Sequence, residues 1–273
     1  MNVFGKIGTY TAISFLDKSK THSLLKYSMM KSATEIEFDT QIEIAKYEGV
    51  IWNFTSKEDE SCLEEISKRP LKMKDLCEIQ YGIETNADKV YVIKKDKLKN
   101  FEEGILKPLI KASTLCDTDK IIFPYRWNDS TSSYEVIPES EMCEKYPKTY
   151  QYLLNNRELL EKRNMDKGAS VWYQYARSQG LQNSNTDKFV LKHVIPEDKL
   201  VCEYKEVDRN HIVYAGIYIV VKDKSKTELV RSILSSREFC KYLLLIGKDM
   251  NGGYKFINAK AIKNYGIKDI AQI

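Results

Sequence analysis

The chain has 273 residues, 42% of them hydrophobic, which suffices for one large domain or two modest ones with a packed core. Its 43 basic and 39 acidic residues leave a formal charge of +4, so it carries no strongly basic tail of the kind that announces nucleic-acid binding by charge alone. The most apolar run, His211 to Val221, is too short for a membrane span and ends at Lys222 and Asp223. The amino terminus lacks a secretory signal, and the cysteines at 62, 77, 116, 143, 202 and 240 show neither a zinc spacing nor a disulfide framework. A soluble cytoplasmic protein with free thiols is expected.

Ile7 to Leu16, rich in β-branched and aromatic residues, is expected to form a strand that turns at Asp17 to Lys20 and pairs with a second strand, Ser23 to Met29. After a mixed stretch from Thr34 to Thr55, Ser56 is placed to cap a helix through Glu58 to Lys68 that stops before Pro70, where a domain boundary is set. Short strands follow at Leu76 to Gln80 and Lys89 to Lys94, then an apolar segment Ile105 to Ile110 and a strand Lys120 to Tyr125. Apolar residues at helical spacing predict one amphipathic helix over Pro147 to Arg163, with proline in its first turn. Strands are expected at Lys188 to Ile195, Leu200 to Lys205 and Ile212 to Val221, then helices over Lys226 to Ser235 and Glu238 to Ile246. The fold class is α+β, with mixed, mainly antiparallel sheets and flanking helices, preceded by the hairpin from Ile7 to Leu25.

No nucleophile elbow, zinc-protease motif or phosphate-cradling glycine loop occurs, and His22, His193 and His211 lie in undistinguished settings, so no catalytic residue is assigned. Asp198, Glu203 and Lys205 (or Asp187 in place of Asp198) resemble the acidic set with which nucleases hold magnesium. The four residues between Asp198 and Glu203 leave room for a turn but hardly for a paired strand, and a solvated strand edge is favoured.

Three segments carry a different chemistry. Tyr81-Gly82-Ile83-Glu84-Thr85-Asn86 mixes a ring, a glycine, a hydroxyl and an amide in a loop able to bring backbone close to a phosphate, or to act as an ordinary turn. Val171 to Gly180 interleaves Trp172, Tyr173 and Tyr175 with Gln174, Arg177, Ser178 and Gln179. Arg pairs with guanine, Gln with adenine and hydroxyls with phosphate, so the composition suits base reading. An edge strand with Trp172 and Tyr175 packed inward is the alternative. Asp249 to Phe256 is a polar turn whose Gly252-Gly253 pair permits positive φ.

From about residue 70 onward, these segments together with Leu109-Ile110-Lys111-Ala112-Ser113, Ile122-Phe123-Pro124-Tyr125, Tyr146-Pro147, Leu160-Glu161-Lys162-Arg163 and Gly253-Tyr254 resemble the TaqI-like carboxy-terminal specificity domain of type II DNA methyltransferases, including fused restriction-modification enzymes, which methylate adenine N6. The resemblance implies a target-recognition domain over 70–273, with 1–69 the end of a methyltransferase catalytic domain plus a linker helix. The catalytic domain's Asn-Pro-Pro-aromatic motif is not in this sequence, so no cofactor or metal is assigned to the chain and S-adenosylmethionine is expected only of a parent enzyme. A part cut from such an enzyme, or a separately encoded fragment, is expected. The implied partners are double-stranded DNA and a methyltransferase catalytic domain, in cis or as a separate chain, and no membrane. Trp172, Tyr173, Tyr175, Arg177, Ser178 and Gln179 are the first candidates for DNA contact, with Tyr81, Thr85, Lys111, Ser113, Asn251 and Lys255 as further ones. The alternatives are the magnesium nuclease and a protein-interaction scaffold built on the 18 tyrosines.

Overall fold

Helix Lys57–Lys68 follows from local chemistry: the Ser56 hydroxyl accepts the Asp59 N–H at 3.2 Å, Glu58, Asp59 and Glu60 sit at the positive end of its dipole, and Pro70 follows its end. In the computed structural model, which describes residues 13–15, 17–18, 23–30, 34–47, 55–166, 170–181, 183–250 and 252–268 without the side chains of Phe38, Lys46, Tyr47 and Gln179, this helix packs by Ile66 onto one face of a four-stranded antiparallel sheet. That sheet runs Tyr204–Val207, Lys188–Leu191, Ile217–Val221, Cys77–Tyr81. Its strands are apolar on both faces, and period-two alternation explains why: Cys77, Ile79, Phe189, Leu191, Ile217 and Ile219 meet helices Thr227–Leu234, Arg237–Ile246 and Ala259–Asn264. Val190 and Tyr218 point the other way, onto Ile110, Ala112 and Val213 of a second sheet.

The second sheet has the order Ile212–Tyr214, Leu106–Lys111, Lys120–Ile122, Val92–Ile93, with the first pair parallel and the others antiparallel. Its far face carries a separate, aromatic core of Tyr91, Phe123, Tyr125, Tyr173 and Tyr175 under the helical segments Glu139–Lys145, Pro147–Asn155 and Arg157–Glu161. A three-stranded sheet (Val194–Pro196, Tyr254–Phe256, Lys248–Met250) and two hairpins (Leu24–Met30 with Ile36–Glu43, and Tyr125–Asn128 with Ser133–Val136) complete the described sheets. The fold is α+β with mainly antiparallel sheets and flanking helices, as expected. Among the described residues no helix is long and apolar enough to cross a membrane.

Several elements differ from expectation. Leu24–Met30 pairs with Ile36–Glu43, in a stretch read as mixed, while its expected pairing with a strand over 7–16 falls largely on residues outside those described. Of the strand expected over 7–16 only residues 13–15 are described, and they are irregular. The strand expected over Lys89 to Lys94 begins with a helical turn, Asp88–Tyr91, because Thr85 Oγ1 accepts the Ala87 N–H at 3.1 Å and donates to Asp88 at 2.6 Å, closing a local turn. The long helix over 147–163 breaks at Asn156, whose amide donates to its own chain at the Tyr152 carbonyl (2.8 Å) and whose φ of −108° is not helical. Ile212 to Val221 is two strands in two sheets, divided where Ala215 takes a left-handed φ of 43° and Gly216 follows. A Cβ on Gly216 would lie 2.0 Å from that of Ala112, so the crossover is possible only with glycine there.

The two ends of the main body are joined by charge. Arg69 donates to both oxygens of Glu238 at 2.6 and 3.1 Å, and Tyr265 and Lys268 also reach that carboxylate. Arg69, assisted by those two, holds the Glu238 carboxyl down at about 2. A depressed carboxyl stabilises the fold above its unfolded value and loses that contribution as pH falls through the folded one. Glu238→Gln is therefore expected to cost about 1–2 kcal/mol near neutral pH, allowing for solvent screening of a partly exposed group. The gap to the parent should close as pH falls from about 4.5 towards 2, measured by urea unfolding at each pH. A gap that stays constant across that window would show that Glu238 acts by packing and not by charge.

Candidate nucleic-acid interface

Loop 170–181 is not a strand but a run of turns pinned from within. Gln174 is buried, its side-chain oxygen accepting the N–H groups of Ser170 and Val171 at 3.1 Å each, so it closes the loop and is not turned towards a ligand. Tyr173 donates its hydroxyl to the Ile137 carbonyl and Tyr175 to that of Ile122, both at 2.6 Å, while the Tyr125 hydroxyl accepts the Tyr175 N–H at 2.7 Å. Both rings are wholly inaccessible, and burial raises the Tyr175 phenol well above its ordinary value. Tyr173 and Tyr175 are thus withdrawn as DNA contacts: an anchored phenol in a dry core gains more from its carbonyl partner than it loses from water. Thr85 is withdrawn for the same reason, being fully buried in its turn.

Trp172 is half-buried, with its indole N–H on Glu139 at 3.2 Å and its face under the Arg157 guanidinium at 5.1 Å. Arg177 keeps about a third of its side chain exposed. Its guanidinium bonds Asp166 and the Asn164 carbonyl, and Asp166 also accepts the Ser178 N–H, all at 3.2 Å. Of Gln179 the backbone lies in a 3-10 turn. Its side chain, like the whole of Asn251, falls outside the described residues.

The loop 81–86 lies directly against this one. Glu84 and Arg177 exchange backbone hydrogen bonds as an isolated antiparallel bridge, at 3.3 and 3.0 Å. Gly82 and Gly180 cross without side chains: a Cβ on Gly180 would lie 2.5 Å from the Gly82 carbonyl carbon, and one on Gly82 would lie 2.3 Å from the Val213 oxygen. The close approach expected of Gly82 is therefore real, but its partner is the protein's own backbone and not a phosphate.

The other candidates scatter. Tyr81 is about half exposed and its hydroxyl accepts the Ala259 N–H at 3.1 Å. Lys111 bonds Asp119 at 2.8 Å, and Ser113 is exposed in the turn between their strands. Lys255 bonds Asp249 across the hairpin whose turn holds Gly252 and Gly253 at φ of 87° and 75°. Of the nuclease set, Glu203 pairs with Lys192 and Lys205 with Asp117, at 3.1 and 2.7 Å, and Asp198 lies in a turn. Among the described residues no group of three metal-ligating side chains comes together.

Two features escaped the sequence. Arg163 leaves the end of its helix and donates to three carbonyls on two loops, Thr85 at 2.7 Å, Trp172 at 2.8 Å and Gln174 at 3.0 Å, besides Leu160 at 2.8 Å, with its guanidinium 5.3 Å from the Tyr91 ring. An arginine just past a helix end is a recognisable carbonyl donor, but which loop it would organise depends on contacts across the fold. Beside it opens a concavity of about 720 Å³ whose lining includes Glu84, Asn86, Lys89, Leu159, Lys162, Arg163 and Tyr214. Asn86 and Ala215, both in its wall, take left-handed φ angles of 50° and 43°.

No family model matches this sequence, and no curated protein matches it. Among solved structures, the fold is similar to that of the Type IIL restriction-modification enzyme MmeI in complex with DNA, with a TM-score of 0.54 and 16% identity over 72% of this chain. The matched part spans 25% of that enzyme's chain, and at this identity the likeness is one of fold.

Proposed function

We propose that this chain is the DNA target-recognition part of an adenine-N6 methyltransferase of a restriction-modification system, gripping the duplex and reading its sequence while a separate catalytic domain, in cis or on another chain, performs the methylation. The observation that carries this is the likeness of fold, over 72% of the chain, to a restriction-modification enzyme solved with DNA. It is supported by the way Arg163 and the Glu84–Arg177 bridge hold two polar loops side by side. Arg177, Ser178, Gln179 and Trp172 are the proposed contacts on one loop, with Tyr81, Lys111, Ser113, Asn251 and Lys255 proposed for the backbone. Residues 70–273 are the proposed recognition domain, and 1–69 the proposed remnant of the catalytic domain with its linker helix.

S-adenosylmethionine is assigned to the catalytic partner. The Asn-Pro-Pro-aromatic motif that would take the target adenine is likewise assigned to that partner: the Pro-aromatic step of this chain, Phe123-Pro124-Tyr125, lacks the preceding Asn, has both rings buried and has its proline carbonyl bonded to the Ile137 N–H at 3.0 Å.

Fluorescence anisotropy with labelled duplex DNA tests the proposal. Phosphate contacts release counterions, so affinity is expected to fall at least ~10-fold between about 50 and 200 mM salt. Absence of binding at the lower salt, or binding indifferent to salt, would sink it. Self-association without DNA affinity would favour the scaffold instead, and magnesium-dependent cleavage abolished by Glu203→Ala would favour the nuclease.

A further inference from the structure

We propose that the concavity beside Asn86 receives a single nucleobase unstacked from a DNA strand, with apolar contact from Leu159 and Tyr214, hydrogen bonds from Glu84 and Asn86, and Lys89 near the phosphate. The proposal rests on the DNA-recognition reading and names what one part of that surface takes.

Shape is the first reason. A paired base offers only its edge in a groove and is met by projecting elements, whereas an open cavity of about 720 Å³ suits a group that has left the stack. Chemistry is the second. Leu159, 50% exposed, lines the cavity together with Tyr214 and Ala215, so part of its wall is apolar. The exposed Glu84 carboxylate, Asn86 amide and Lys89 ammonium are held by no side-chain partner among the described residues and so are free to meet a ligand at the cavity, whereas Thr85, Asp88, Arg163 and Tyr214 are engaged with one another or with backbone. A carboxylate and an amide together match a base carrying an exocyclic amino group, and a lysine matches its phosphate.

The third reason is rigidity. Asn86 and Ala215 hold left-handed backbone on two sides of the cavity, a conformation from which alanine gains nothing. It is maintained by the Ala215 N–H on the Ile83 carbonyl at 3.3 Å and by Arg163 on that of Thr85. Asparagine adopts this conformation readily and Ala215 takes it where the chain crosses between sheets, so the wall of the cavity is fixed by the fold itself before any ligand arrives.

The test compares, at low salt, anisotropy titrations of the 273-residue chain with a fully paired duplex and with the same duplex carrying one unpaired cytosine. Because an unpaired base has already lost its stacking, the bulged duplex is expected to bind about tenfold tighter. Leu159→Gln and Asn86→Gly should each bring the ratio of the two affinities close to one. Glycine keeps the left-handed backbone at position 86 and Leu159 lies on a helix surface, so both variants should fold. Equal affinity of the parent chain for both duplexes would overturn the cavity assignment and leave DNA recognition standing. A preference that survives both substitutions would place the unpaired base elsewhere and overturn it too. Failure to bind either duplex would remove the recognition reading and this proposal together.

Discussion

Arg163→Ala is expected to destabilise the protein by about 3 kcal/mol, because a charge-assisted donor is worth roughly 1.5–3 kcal/mol and this one serves the Thr85, Trp172 and Gln174 carbonyls, whereas Leu160 keeps backbone donors. Its four carbonyl partners, Thr85, Leu160, Trp172 and Gln174, come from the turn at 85, the end of its own helix and the loop 170–181, so one side chain decides whether the two loops share a geometry. Arg163→Lys should recover only part of the loss, since a single ammonium lacks the planar fork that lets a guanidinium address several acceptors at once. Urea unfolding gives the stability, and near-UV circular dichroism reports the packing of Tyr173 and Tyr175 that the loop carries. A loss below about 1 kcal/mol would mean that water replaces the guanidinium at those carbonyls. Any DNA affinity should fall with the loop's order even though the guanidinium is directed inward.

Gly180→Ala is expected to cost about 3 kcal/mol, at the upper end of what overpacking costs, because the added methyl would meet atoms that cannot rotate away. The obstacles are the carbonyl carbon and oxygen of Gly82 at 2.5 and 2.6 Å and the Tyr81 oxygen at 2.7 Å, all backbone. Gly253→Ala is the informative contrast. Nothing lies within 4 Å of a Cβ there, so only its φ of 75° is penalised, at about 1 kcal/mol. For a chain of this size the difference should appear as a Tm gap of several degrees in thermal melts. Equal losses at the two positions would show that the crossing of the loops at Gly82 and Gly180 has room to relax.

Both substitutions act on the same junction, and its details were out of reach of local patterning. Interleaved rings and polar groups from Val171 to Gly180 marked a special loop, and the loop is special. Which way each ring points was not legible, since Tyr173 and Tyr175 find their carbonyl partners at Ile137 and Ile122, dozens of residues upstream. Burial of a tyrosine depends on whether a distant acceptor arrives to satisfy its hydroxyl, and sequence neighbours say nothing about that. Gly82 was rightly marked as a place of close approach, but glycine records only that something comes near. Asn86 stood out only as the amide of the loop 81–86, and Lys89 and Leu159 gave no signal, because the three become neighbours only when the turn after Thr85 and the helix Arg157–Glu161 are brought together around Arg163.

What this sequence determines by itself is what local interactions control: the Ser56-capped helix, the proline at the start of Pro147–Asn155, the helices Thr227–Leu234 and Arg237–Ile246, the left-handed glycine turn after Met250, and an α+β composition. Each depends on contacts within a few residues, where capping, steric limits on φ and apolar periodicity dominate. The tertiary structure alone decided that Ile212 to Val221 would be shared between two sheets and that Arg163 would join the turn at Thr85 to the loop 170–181. Those outcomes turn on pairings distant in sequence, in which a β-branched run offers many partners of nearly equal merit and only the fit of whole surfaces, down to a 2.0 Å conflict at Gly216, selects among them.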